Sequence, residues 1–200
     1  MRRAIGRLVL RLLGWRAVGE FPRSGCEKCV LIAAPHTSNW DLPFMIAFAM
    51  AFELHIAWMG KYTLFRPPFG GFMRWLGGVP VRRTTREGKV DEMAQLFAGR
   101  PRLVLAIAPE GTRFRSEHWK SGFYWIARRA GVPIVPSYLD FGTRTAGFGP
   151  PLVPSDSLRA DMDHLRAVYA GKRGLFPERF GPVRLLEEDP SYSTSRSASA

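Results

Sequence analysis

Acidic residues are scarce in this chain. Its 200 residues carry 17 Asp and Glu against 29 Lys and Arg, a net charge of +12 and a pI near 10.6. That imbalance points to an anionic partner: nucleic acid, an acidic membrane surface, or an acidic substrate. Cysteine is nearly absent. Cys26 and Cys29 form one C-x-x-C, and no second pair or histidine cluster accompanies it, so a zinc ribbon is excluded. The pair precedes an apolar run, Val30 to Ala34, and reads as two reduced thiols at a strand. Long hydrophobic runs are missing too. The nearest, Leu42 to Phe52, stops at Glu53, far short of the ~20 residues that span a bilayer. Arg7 and Arg11 interrupt any signal-peptide core. There are no internal repeats, no G-x-S-x-G around Ser38 for a serine nucleophile, and no recognised RNA- or DNA-binding signature.

What is present is an ordinary globular mix, 46% hydrophobic and 23% charged, at single-domain length. Apolar strands without alternation recur between helical stretches. They are expected at Cys29 to Ala34, Leu54 to Met59, Val79 to Arg83, Leu103 to Ala108 and Val132 to Leu139. The helices fall at Ser38–Asp41 to Phe52, within Phe65 to Leu76, and at Thr85 to Ala98, Ser121 to Ala130 and Asp156 to Ala170, the last capped by Ser155 or Asp156. This order predicts a single α/β domain with a mostly parallel sheet covered by helices. Three segments are expected: an amphipathic basic N-terminal helix over residues 1–18, the domain over 19–190, and a disordered Ser-rich tail over 191–200. In the first helix Ile5, Leu8, Val9 and Leu12 share one arc, with Trp15 and Leu13 at its edges. Arg3, Arg7 and Arg11 lie opposite, while Leu10 and Arg16 break the pattern. That face fits either a membrane interface or the protein's own core.

In an open α/β sheet, sites lie beyond the carboxyl ends of strands. Three polar clusters fall there: His36 with Asp41, Arg82-Arg83, and Glu110-Gly111-Thr112-Arg113. Imidazole titrates near neutrality, so His36 is the general-base candidate, with Asp41 placed to fix its tautomer. A helix-capping role for Asp41 is the plain alternative. His55, His118 and His164 are scattered and suggest no metal site. Of the 29 basic residues 24 are Arg, whose fork matches phosphate. Arg83 and Arg113 are the ones placed at the sheet edge.

These residues, in this order, resemble the glycerolipid acyltransferase family, whose best-known members acylate lysophosphatidic acid. Four blocks carry the resemblance: His36-Thr37-Ser38-Asn39-Trp40-Asp41, Gly77-Gly78-Val79-Pro80-Val81-Arg82-Arg83, Glu110-Gly111-Thr112-Arg113, and Val132-Pro133-Ile134-Val135-Pro136. Together they span about half the chain. The resemblance implies that His36, oriented by Asp41, deprotonates an acceptor hydroxyl, which attacks the thioester of acyl-CoA or acyl-carrier protein without an acyl-enzyme. It implies that Arg83 and Arg113 hold an acceptor phosphate, with Glu110, Gly111 and Thr112 shaping that pocket. Pro133 and Pro136 would support the acyl-chain region. No metal or organic cofactor is implied, and no nucleic-acid partner. Pro35, Pro80 and Arg82 stand where members commonly carry Asn, Phe and Asp, which leaves the acceptor open: lysophosphatidic acid, another lysophospholipid, or another hydroxyl or amine lipid. Peripheral attachment to the cytoplasmic face of an anionic membrane is expected, through the basic helix and aromatics such as Trp15, Phe69, Phe72, Met73 and Trp75, although core packing competes for each of these. Two other readings remain: a basic non-enzymatic binding module, and a hydrolase in which water takes the acceptor's place.

Overall fold

The computed structural model describes residues 2–81 and 86–189. Its strands are β1 (Arg16–Val18), β2 (Lys28–Ala33), β3 (Ile56–Lys61), β4 (Gly78–Val81), β5 (Leu103–Ile107), β6 (Ile134–Asp140) and β7 (Thr145–Phe148). Its helices are α1 (Arg2–Leu12), α2 (Asp41–Ala51), α3 (Gly70–Trp75), α4 (Arg86–Ala98), α5 (Gly122–Ala130) and α6 (Leu158–Tyr169). The strands form one sheet in the order β1-β7-β6-β2-β5-β3-β4. Five adjacent pairs are parallel, and only β6 and β7 run antiparallel. The expected α/β domain with a mostly parallel sheet is the one observed.

Both faces of the sheet are covered, which is why its strands read as continuous apolar runs. The period-2 pleat sends Val30, Ile32, Leu105 and Ile134 to one face, against Met93 and Phe97 of α4, Phe123 of α5 and Met162 of α6. It sends Cys29, Leu31, Val104, Ala106 and Val135 to the other, against Phe21 and residues of α2. Cys26 and Cys29 are free thiols packed in that second cluster, where burial pushes the Cys29 thiol up to about 12. Both are buried, and burial raises both thiols, which disfavours the reactive thiolate.

Several elements differ from expectation. The first helix ends at Leu12, and Trp15 is not on its apolar arc. Trp15 is 3% exposed, packed against the rings of Phe44 and Phe141. Gly14, in the left-handed region at φ 74°, releases the chain from the helix. Residues 16–18 then pair with β7 as the sheet's edge strand. A three-residue strand is too short to carry a period. β7 was likewise not expected in the glycine-containing stretch after Gly142. α6 begins two residues later than expected, and its cap is Ser157, whose hydroxyl accepts the Ala160 N–H. The expected tail over 191–200 lies outside the described residues.

α1 docks on α2 along a narrow stripe. Gly6 and Leu10 are its buried residues, so Leu10, the residue that broke the sequence pattern, is the one that anchors it. Ile5, Leu8, Val9 and Leu12 all face outward, Leu12 with 78% of its surface exposed. The apolar arc is therefore not used by the core.

Candidate active site

β2 and β5 are neighbours, with Ile32 beside Ile107, so the loops that follow them leave the same sheet edge together. The β2 loop carries His36 and delivers Asp41 as the first residue of α2. His36 Nδ1 lies 3.0 Å from Asp41 Oδ2. A carboxylate only accepts, so Nδ1 carries the proton and Nε2 keeps a free lone pair. The same Oδ2 accepts the Ser38 N–H at 3.0 Å, whereas Asp41 Oδ1 is buried without a partner. Asp41 makes no capping bond of its own: the cap position is Trp40, which has none. Its carboxylate serves the loop.

The β5 loop carries Glu110 to Arg113. Gly111 sits at φ 66° and donates its N–H to Ala108 O, which turns the chain sharply. Thr112 Oγ1 accepts the Phe114 N–H at 3.2 Å and closes a second small turn. Glu110 does not face outward with them. It is 2% exposed, and its Oε1 accepts the backbone N–H of His36 at 2.7 Å. Burial raises its carboxyl to about 7, against the opposing pull of the His36 N–H and imidazole. Glu110 therefore grips the histidine loop, whereas Gly111 and Arg113 are exposed at the turn and Thr112 is half-buried.

Arg113 is exposed and makes no ion pair with a described carboxylate. Lys120, which sequence reasoning missed, joins it. Its N–H donates to Pro109 O at 2.7 Å, and its stem lies over Gly111, with Cγ 3.2 Å from where a Cβ would stand. Lys120 is also exposed and without a carboxylate partner among the described residues. Other arginines nearby are engaged: Arg115 and Arg184 with Glu117, Arg166 with Asp163 and Glu188. Arg82 and Arg83 lie outside the described residues. Their block is described through Val81, with Gly77 at φ 88° where a Cβ would strike Ile56 O.

The two prolines are not brought to the dyad. Pro133 O accepts the Val30 N–H near the start of β2, at the opposite end of the sheet from His36. Pro136 is buried beside Ile32 in mid-strand. Its carbonyl accepts the Gly149 N–H, and pairing with β7 begins only at Ser137, so its missing N–H leaves no gap in that ladder.

A C-terminal strap completes the site. The Phe176 N–H donates to Thr37 Oγ1 at 3.2 Å, and Gly174 passes so near Thr37 that a side chain there would overlap it. Thr37 is fully buried as a result. The segment carries no periodic signal, so nothing in the sequence announced this contact. Among the described residues no group of His, Cys, Asp and Glu is placed to hold a metal ion.

A family model, Acyltransferase, matches residues 19–140. Among solved structures, the fold is similar to that of the 1-acyl-sn-glycerophosphate (LPA) acyltransferase PlsC from Thermotoga maritima. The TM-score is 0.57 at 19% identity, covering 85% of this chain and 76% of that one. No curated protein sequence matches.

Proposed function

The chain belongs to the acyltransferase family, and from that premise we propose that it moves a fatty acyl chain from a thioester donor, acyl-CoA or acyl-carrier protein, to the hydroxyl of a lysophospholipid-like acceptor such as 1-acylglycerol-3-phosphate. The observation that carries the reading is the His36–Asp41 pair, 3.0 Å apart at the carboxyl edge of the sheet. Nε2 of His36 takes the acceptor's proton as its oxygen attacks the thioester carbonyl. The carbon–sulfur bond breaks, and the imidazolium returns that proton to the departing thiolate. Hydroxyl and thioester become ester and thiol, with no covalent enzyme intermediate. Asp41 holds the tautomer and stabilises the imidazolium. Arg113 and Lys120 are cations at the adjoining turn with no carboxylate partner among the described residues, and they suit a phosphate on the acceptor. Arg83 is assigned to the same phosphate by its motif alone.

The same reading includes a membrane, on its cytoplasmic side, as the source of lipid. No described helix is long and apolar enough to cross one. The outward arc of α1, together with exposed Trp40, Phe69, Phe72 and Trp75, offers apolar area to an interface. Met73 is half-buried and contributes less.

The test is incubation with labelled acyl-CoA and 1-acylglycerol-3-phosphate, with lipid products read by mass spectrometry. Diacylated product supports transfer. Free fatty acid alone would make the protein a hydrolase, and no turnover with any acceptor in a lipid extract would leave a binding module.

A further inference from the structure

The loop between β2 and α2 is held by side chains. The last backbone contact to β6 is Ala34 N–H to Ser137 O, stretched to 3.4 Å. Beyond it the His36 N–H goes to Glu110, the Ser38 N–H to Asp41, and the Trp40 N–H to Ser38 Oγ. A loop released from the sheet ladder takes its position from those acceptors. Two are carboxylates: Asp41 belongs to the loop's own helix, while Glu110 reaches in from the neighbouring strand, 74 residues away.

We infer that Glu110 is a positioning residue for the His36–Asp41 pair, fixing the histidine's backbone where β2 ends, and not a ligand of the substrate. The inference rests on the acyl-transfer reading of that pair. Direction is the first argument. One oxygen of Glu110 is committed to the His36 N–H, and the residue is buried, whereas the cations of the same turn are exposed. An anionic substrate gains from Arg113 and Lys120 and is repelled by a carboxylate.

Cost is the second argument. The groups facing Glu110 are His36 from the loop, Asp41 from α2 and Tyr169 from α6. Tyr169 offers no relief, since its hydroxyl donates to Ser137 O. A buried carboxyl with one hydrogen bond is a poor stabilising choice when a neutral amide accepts the same N–H. What an ionised carboxylate adds is a shorter, charge-assisted bond that restrains the backbone more tightly. Displacing a catalytic group by about 1 Å can cost on the order of 10²-fold in rate.

Full-length Glu110→Ala and Glu110→Gln separate positioning from substrate binding and from plain structural support. In Glu110→Ala, kcat is expected to fall by on the order of 10²-fold, with the acceptor KM within about twofold of wild type. Glu110→Gln should recover part of kcat, because its carbonyl oxygen accepts the same N–H, and should melt at or above the wild-type temperature at pH 8. Residue-resolved amide exchange should be faster at His36 in the Ala variant than in the Gln variant. A tenfold rise in acceptor KM with kcat held would make Glu110 a substrate ligand and overturn the inference. So would unchanged kcat in both variants, or a melting temperature at pH 8 lowered in Glu110→Gln. If Glu110→Ala does not fold, the Gln variant's kcat, KM and melting temperature decide. If the wild type acylates nothing, the acyl-transfer reading fails on its own, while His36 amide exchange still reports whether Glu110 holds that backbone.

Discussion

Gly6 of α1 lies against Ala51 of α2 so closely that a Cβ on the glycine would stand 2.5 Å from the Ala51 backbone nitrogen. Ala47 O and Met50 Cβ would be met at 2.7 and 2.8 Å. The two helices touch backbone to backbone, and only hydrogen fits between them. Gly6→Val should therefore destabilise the protein by about 1–3 kcal/mol through overpacking. Gly6→Ala should do less, in the same direction. Both are read from urea unfolding curves. An unchanged midpoint for Gly6→Val would mean that α1 does not dock in this way.

The docking leaves Leu8 and Leu12 facing outward, 57% and 78% exposed. Replacing both with Glu should leave the melting temperature nearly unchanged, since neither is core. Flotation with anionic vesicles should drop sharply, because the change removes apolar area and adds charge of the wrong sign. Wild-type flotation should also weaken in high salt as the Debye length shortens to about 3 Å at 1 M. Flotation of the double variant at wild-type levels would remove α1 from the interface.

His36→Ala should lower acyl transfer by about 10²- to 10⁴-fold in a folded protein. Asp41→Asn should also be strongly impaired. An amide next to Nδ1 no longer dictates the tautomer, and it takes away the negative charge that supports the imidazolium. Circular dichroism and a melting curve establish that each variant is folded. More than a tenth of the wild-type rate in His36→Ala would sink the general-base assignment.

Arg113→Ala and Lys120→Gln should each raise the KM for a phosphate-bearing acceptor. A charge-assisted contact of about 1.5–3 kcal/mol corresponds to about 10- to 150-fold. The KM for acyl-CoA should move less. A larger effect on acyl-CoA would assign these cations to the donor's phosphates.

Glu110 links stability to pH. Its carboxyl titrates at about 7 in the fold against an ordinary 4.5. The folded state therefore holds the proton more tightly. Its contribution is full below about pH 4.5 and is lost as pH rises through about 7. At 1.36 kcal/mol per unit, the loss is of order 3 kcal/mol for a group this buried. Glu110→Gln should remove it. The stability difference between wild type and variant, followed by urea unfolding at pH 5 and pH 8, should shift in the variant's favour at the higher pH. A pH-independent difference would place the carboxyl's titration elsewhere.

The sheet was legible in the sequence because both of its faces are covered. Strands such as Leu103–Ile107, buried at every position, stand out as apolar runs. β1, at the sheet's edge, and β7, beside it, were not, since strands of three and four residues are too short to show a pattern. His36 and Asp41 could be paired because one turn separates them. Glu110 could be placed at the right edge but not aimed: direction depends on the β2–β5 register, which composition does not encode. Lys120 and the Thr37 contact were invisible for the same reason. Leu10 misled, because the helix docks through Gly6 and Leu10 and leaves Ile5, Leu8, Val9 and Leu12 facing outward.

The hydrogen bond from Phe176 to Thr37 joins residues 139 positions apart, and β1 pairs with β7 across a similar span. A fold built on such distant closures must defer them until both partners have been made. The histidine loop emerges early, yet Glu110 and then the strap that brace it arrive only as the rest of the chain follows. A nascent chain stopped after the second motif would hold His36 and Asp41 without either brace. The geometry of that pair is thus set from outside its own loop, and only once the segments carrying Glu110 and Phe176 have folded back on it.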